Sequence, residues 1–120
     1  VANWLAAHPG VARLHQPDSV ALAPLVRPGA GPGGILSLEV SGSLAAFYDR
    51  VPIVKGPSFG TIFTMMCPFV YLAHYKLVTS ELGRAKLAAS GLHPELVRLS
   101  LGDEPVGEII AALDVGLSNS

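Results

Sequence analysis

Arg98 is the residue of this sequence best suited to hold a ligand. It stands in Leu96-Val97-Arg98-Leu99-Ser100, where Val97 and Leu99 turn to the opposite face of a strand, toward a core. An arginine between such neighbours needs a partner or a cleft. Its planar fork of donors matches a carboxylate in bidentate fashion, which fixes the orientation of an amino acid. The same residues also allow a surface ion pair with Glu95 or Asp103. Ser58 lies in Gly56-Pro57-Ser58-Phe59-Gly60, where the glycines let backbone approach a ligand closely. Its hydroxyl either meets that ligand or closes a local turn.

Other chemistries find less support. Cys67 is the single cysteine and sits in Met65-Met66-Cys67-Pro68-Phe69, with no basic residue beside it. A nucleophilic thiol wants an electropositive, partly open site, so Cys67 reads as buried and inert. A thiol enzyme would instead show rapid alkylation by iodoacetamide at neutral pH. His8, His15, His74 and His93 are scattered and give no zinc pattern, and His74 reads as a structural histidine. Residues 29–34 are glycine-rich but open no strong helix, which argues against a phosphate loop.

These residues need elements to position them. Residues 1–7 carry Val1, Trp4 and Leu5 at helical spacing, and His8-Pro9-Gly10 ends that helix. Its abrupt start suggests a helix that begins upstream. Residues 11–15 read as a short strand. Residues 16–34, with Pro17, Pro24, Pro28 and Pro32, form a connection with a helical turn over 20–25. Residues 35–41 alternate as a strand, with Leu36, Leu38 and Val40 on one face. Ser43 caps a helix through Arg50 whose inner face is Leu44, Phe47, Tyr48 and Val51. Ile53-Val54 is a short strand, and 61–67 a buried strand that Pro68 interrupts or places at an edge. A helix from Thr79 or Ser80 presents Leu82, Ala85, the Lys86 stem and Ala89, and stops at Gly91. Residues 96–101 form the next strand. Asp103 caps a last helix with the stripe Val106, Ile109, Ile110, Leu113 and Leu117. The connections are too short for all-parallel crossovers. The order predicts an α+β fold: a small, mainly antiparallel sheet with helices packed on one face.

Composition bounds the rest. With 120 residues the chain is one domain; 50% are hydrophobic and 14% charged, against about 25% charged in ordinary domains. A disordered tail is excluded. Eight basic and nine acidic residues, unclustered, speak against a nucleic-acid face. Residues 56–73 carry no charge, yet Pro57, Pro68 and the hydroxyls of Ser58, Thr61, Thr64 and Tyr71 oppose a membrane span. No basic leader precedes an apolar run and no disulfide can form within the chain, so the expected location is cytoplasmic. So few charges leave a weakly polar surface, of the kind that lies against a partner.

Four collinear motifs carry a resemblance to a known family. His8-Pro9-Gly10-Val11 resembles the HPxVxxV segment of the Cys/Met-metabolism enzymes, the pyridoxal-phosphate enzymes of transsulfuration. Gly33-Gly34-Ile35-Leu36-Ser37-Leu38-Glu39 is similar to the family's GGMLSFEL strand. Ser58-Phe59-Gly60-Thr61 stands where the family has SLGG or SLGD. Leu96-Val97-Arg98-Leu99-Ser100-Leu101-Gly102 is similar to LIRLSVG.

The resemblance implies that residues 1–120 are a single C-terminal, substrate-carboxylate domain, about one third of a subunit of a fold-type-I enzyme. Pyridoxal 5′-phosphate, its Schiff-base lysine and the catalytic residues would belong to a large domain outside this chain. Lys55, Lys76 and Lys86 do not stand in the family's S-x-T-K setting. Arg98 corresponds to the family's arginine for the substrate α-carboxylate, and Ser58 to the serine beside it. Phe63 departs from the pattern, because many members carry a glutamate near this position that recognises a distal amino group. An apolar ring there puts cystathionine cleavage in doubt and suits a smaller or more apolar distal group; core packing is the other use of such a ring. The implied activity is β/γ-elimination, of C–S lyase type, or γ-replacement on a sulfur-containing or O-activated amino acid, in methionine and cysteine metabolism. The implied partners are the large domain and further subunits, as a dimer of dimers. The alternative is a non-catalytic regulatory or dimerisation module that has kept only the fold. Expressed alone, the chain is expected to aggregate, because the surface of residues 56–73 is built for a partner; a monodisperse 12.5 kDa monomer in gel filtration would count against this.

Overall fold

Alternating apolar residues build the centre of a five-stranded sheet. A computed structural model describes residues 1–31 and 33–118; Pro32, placed by its sequence in the connection, lies outside the described residues. The chain opens with α1 (Ala2–Ala7) and β1 (Val11–His15). Then come α2 (Ser19–Leu22), a 3₁₀ turn (Ala23–Leu25) and β2 (Ile35–Val40). The next elements are α3 (Leu44–Arg50), β3 (Val54–Lys55) and β4 (Met65–Cys67). Three short helices follow, α4 (Phe69–Ala73), α5 (Tyr75–Val78) and α6 (Glu81–Ala89), before β5 (Leu96–Ser100) and α7 (Val106–Leu117).

The strands run in the order β1-β2-β5-β4-β3. Three pairs are antiparallel and only β3–β4, at the edge, is parallel. The sheet is therefore mainly antiparallel, as expected. Leu36, Leu38 and Val40 of β2 and Val97 and Leu99 of β5 are buried on one face. Leu5 of α1, Leu44 and Phe47 of α3, and Ile109, Leu113 and Leu117 of α7 close over them to form the main core. Ser43 caps α3 by accepting from the Ala46 N–H at 3.2 Å. Beyond the sheet, His8 Nε2 meets Asp114 Oδ1 at 3.2 Å and ties the end of α1 to α7. Bonds from the Ser118 hydroxyl and from His8 hold the Asp114 carboxyl below its ordinary range.

The differences from the sequence expectation have local causes. Of residues 61–67 only Met65–Cys67 is strand. The segment before it leaves the sheet because Thr64 spends its N–H and its hydroxyl on the Glu104 carboxylate. Pro68 ends β4 as expected, but it also starts α4, since proline lacks only an N–H that a first helical turn leaves unpaired. With α5 and α6, α4 forms a second small core of Val70, Val78 and Leu87 that the sequence reading missed. The buried side of α6 is Gly83 and Leu87, and Leu82 is 69% exposed, so the expected face is turned away. Asp103 does not cap α7: Pro105 holds that position without a side-chain bond. Val106 is exposed, and Gly116 joins the buried stripe. The short strand expected at Ile53-Val54 lies at Val54–Lys55.

Gly116 marks the tightest approach of α7 to α3. A Cβ there would run into Val51 Cγ2 and stand 2.8 Å from Phe47 Cδ2. Gly116→Ala is expected to lower stability by about 1–3 kcal/mol, read as a lower urea midpoint at unchanged slope.

Candidate functional site

The face of the sheet opposite the core carries the polar residues. Register alone sets one row across four strands: His15 beside Ser37, Ser37 beside Arg98, and Arg98 beside Cys67. Cross-strand partners share a face, so these side chains project to the same side. His15 is taken by Glu39, at 3.0 Å from Nε2 to Oε1. Cys67 is 2% exposed, and burial pushes its thiol up while the neighbouring Arg98 charge pulls it down. A raised thiol deep in the sheet agrees with an inert cysteine.

Arg98 is half-buried, and no carboxylate lies within ion-pair distance of it among the described residues. The alternative pairing with Glu95 or Asp103 is absent. Its guanidinium instead donates through Nη2 to the carbonyls of Pro57, at 2.5 Å, and Ser58, at 3.5 Å. Nη1 and Nε make no hydrogen bond to the described residues. The rings of Phe59 and Phe69 both stand 5.2 Å from the guanidinium carbon. Neutral carbonyls and aromatic faces hold this cation without neutralising it, and Nη1 and Nε keep their donors.

The loop that supplies these partners, residues 56–64, is moored along its length. At its start the Gly56 N–H donates to Met66 O at 3.0 Å. Gly60, at φ +70°, turns the chain so that its N–H meets the buried Ser100 hydroxyl at 2.9 Å. Ile62 O accepts from the Asp103 N–H at 2.8 Å. Thr64 closes the loop: its hydroxyl donates to Glu104 Oε1 at 2.7 Å and accepts from the Gly102 N–H at 3.0 Å. Its N–H lies 2.9 Å from Glu104 Oε2. The bonds from Thr64 hold the Glu104 carboxyl below its ordinary range.

The loop brings two of the three expected site residues together. Ser58 is exposed next to Arg98, and its hydroxyl makes no hydrogen bond to the described residues. Phe63 lies further along the same loop, 41% exposed and outside both cores, and makes no ring contact with Arg98. Phe59 and Phe69 were missed, although an aromatic residue beside the candidate serine was a readable signal. Lys55 donates to Val51 O at 2.9 Å and lies over the Tyr48 ring, and Lys76 and Lys86 are exposed on α5 and α6. No group of three metal-ligating side chains occurs among the described residues, and no helix there is long and apolar enough to cross a membrane.

Comparison with known proteins gives a consistent picture. No family model matches. Over 116 residues the chain is 40% identical to a cystathionine gamma-synthase of Neurospora crassa, covering 92% of the chain and 18% of that protein. It is 44% identical over 73 residues to an L-2-amino-4-chloropent-4-enoate dechlorinase/desaturase of Streptantibioticus cattleyicolor, covering 61% of the chain and 15% of that protein. The crystal structure of a cystathionine gamma synthase from Xanthomonas oryzae pv. oryzae superposes with a TM-score of 0.75 at 27% identity. That match covers 98% of this chain and 31% of the other. The chain thus spans less than a fifth of the length of these curated relatives.

The Glu104 anchor makes the loop sensitive to acid. Because the folded carboxyl titrates below its ordinary value of 4.5, its stabilising effect is complete above that value. It is lost as pH falls through the lowered one. At neutral pH, Glu104→Gln is expected to speed amide hydrogen exchange in residues 58–64 by about threefold to tenfold, leaving β2 and β5 unchanged.

Proposed function

The chain is homologous to a domain of the cystathionine γ-synthase-like pyridoxal-phosphate enzymes, and from that premise we propose that it binds the substrate α-carboxylate through Arg98. The observation that carries this is a half-buried guanidinium held by backbone carbonyls, with no counter-charge and with Nη1 and Nε unspent. A carboxylate is the group that completes such a site, accepting charge-assisted N–H···O bonds from these donors. Ser58 adds a hydroxyl at the same rim, and Gly60 fixes the loop that presents it.

The polypeptide that contains residues 1–120 is then an enzyme of β/γ-elimination or γ-replacement on a sulfur-containing or O-activated amino acid. Pyridoxal phosphate, held by a larger domain of the same enzyme, supplies the electron sink for breaking bonds at the amino-acid carbons. This domain's own task is orientation: it fixes one end of the substrate so that the bond to be broken is presented correctly. Phe63, exposed and apolar on the same loop, favours a small or apolar distal group over a charged amine. The uncharged segment 56–73 and the exposed Phe59, Ile62 and Leu72 form the surface for the larger domain or a neighbouring subunit.

The test uses the full polypeptide, loaded with cofactor, with O-acetyl-L-homoserine, L-methionine and L-cystathionine as substrates. Arg98→Ala is expected to raise KM by about tenfold to a thousandfold, and Arg98→Lys by less. L-Cystathionine should be the poorest of the three. Unchanged substrate constants in Arg98→Ala, or full activity of the large domain without residues 1–120, would overturn the proposal.

A further inference from the structure

An arginine without a carboxylate partner needs something else to fix its plane. The two carbonyls of Pro57 and Ser58 engage only Nη2, so they fix one corner of the guanidinium. The remaining constraints are the rings of Phe59 and Phe69, each 5.2 Å from the guanidinium carbon. They come from different elements, the 56–64 loop and the first residue of α4. Cation–π attraction acts at the aromatic face and uses none of the in-plane N–H donors. Rings and carboxylate therefore do not compete: the rings stabilise the charge, and the in-plane donors of Nη1 and Nε stay open.

We infer that Phe59 and Phe69 are positioning residues for Arg98, holding its unspent N–H donors toward the substrate carboxylate and thereby setting carboxylate selectivity. This rests on the carboxylate role proposed for Arg98. Both rings are partly exposed, Phe59 at 61% and Phe69 at 40%, so neither is spent on core packing.

The experiment uses the full polypeptide with bound pyridoxal phosphate and compares glycine with glycinamide, which lacks the charged carboxylate. Affinity is read from the absorbance change of the cofactor. Phe69→Leu and Phe59→Leu are each expected to weaken glycine binding by about threefold to tenfold, with glycinamide unchanged. Phe69→Tyr should restore the wild-type ratio. Phenylglyoxal labelling of Arg98, mapped by mass spectrometry without cofactor, should be faster in both leucine variants. Equal weakening of both ligands, or an unchanged ratio with unchanged labelling, overturns the inference. Arg98→Ala separates the two layers. If it leaves the glycine-to-glycinamide ratio at the wild-type value, the carboxylate role itself fails; if it abolishes the ratio while the leucine variants do not, only the role of the rings fails. Phe59→Leu keeps the test open should Phe69→Leu misfold, because Phe59 lies outside both hydrophobic clusters.

Discussion

A single positive charge organises one whole side of this domain. Arg98 stands on a central strand whose other face is packed with Val97 and Leu99, so the charge cannot retreat into the core. It also cannot be neutralised locally, since no carboxylate reaches it among the described residues. The fold answers with oriented dipoles and aromatic faces. Such groups hold a cation in place yet leave its charge available to a ligand. The loop 56–64 is best understood as the device that brings those groups over the strand.

That loop is costly to order, and its moorings show how the cost is met. Each anchor uses a residue that the sheet or the β5–α7 turn already fixes: Met66, Ser100, Asp103 and Glu104. The strand that carries the arginine therefore also carries the serine that pins the loop. The spacing of Arg98 and Ser100 places both on the same face by the period of a strand. The weakly charged surface noted in the composition has the same origin. The segment 56–73, which supplies the groups around Arg98, carries no charge of its own.

The sequence made the sheet's inner face legible because period-two alternation is a strong signal in β2 and β5. Arg98 and Ser58 were legible for a related reason: a charged residue inside such a pattern, and a serine between glycines, each break a local rule. The α4–α6 region was not legible. Its helices are short, its apolar residues have no sustained period, and the positions buried in α6 are decided by contact with α5 rather than by the helix's own stripe. The Glu104 side chain turns back to Thr64, a long-range choice that no local pattern records. The aromatic neighbours of Arg98 come from a loop and from a helix start, and only the folded chain brings them together.

The small second core has a further consequence. Val70, Val78 and Leu87 form a cluster apart from the main one, and among the described partly buried residues only Tyr71 is packed against both. A unit with so few buried members opens at a lower free energy than the sheet does. Phe69 begins the helix that contains Val70. The two aromatic neighbours of the arginine thus belong to different parts of the fold, one to a loop pinned to the sheet and one to the helix that carries the smaller core. Were α4–α6 to open locally, Phe69 would leave the arginine while Phe59, on the moored loop, stayed beside it.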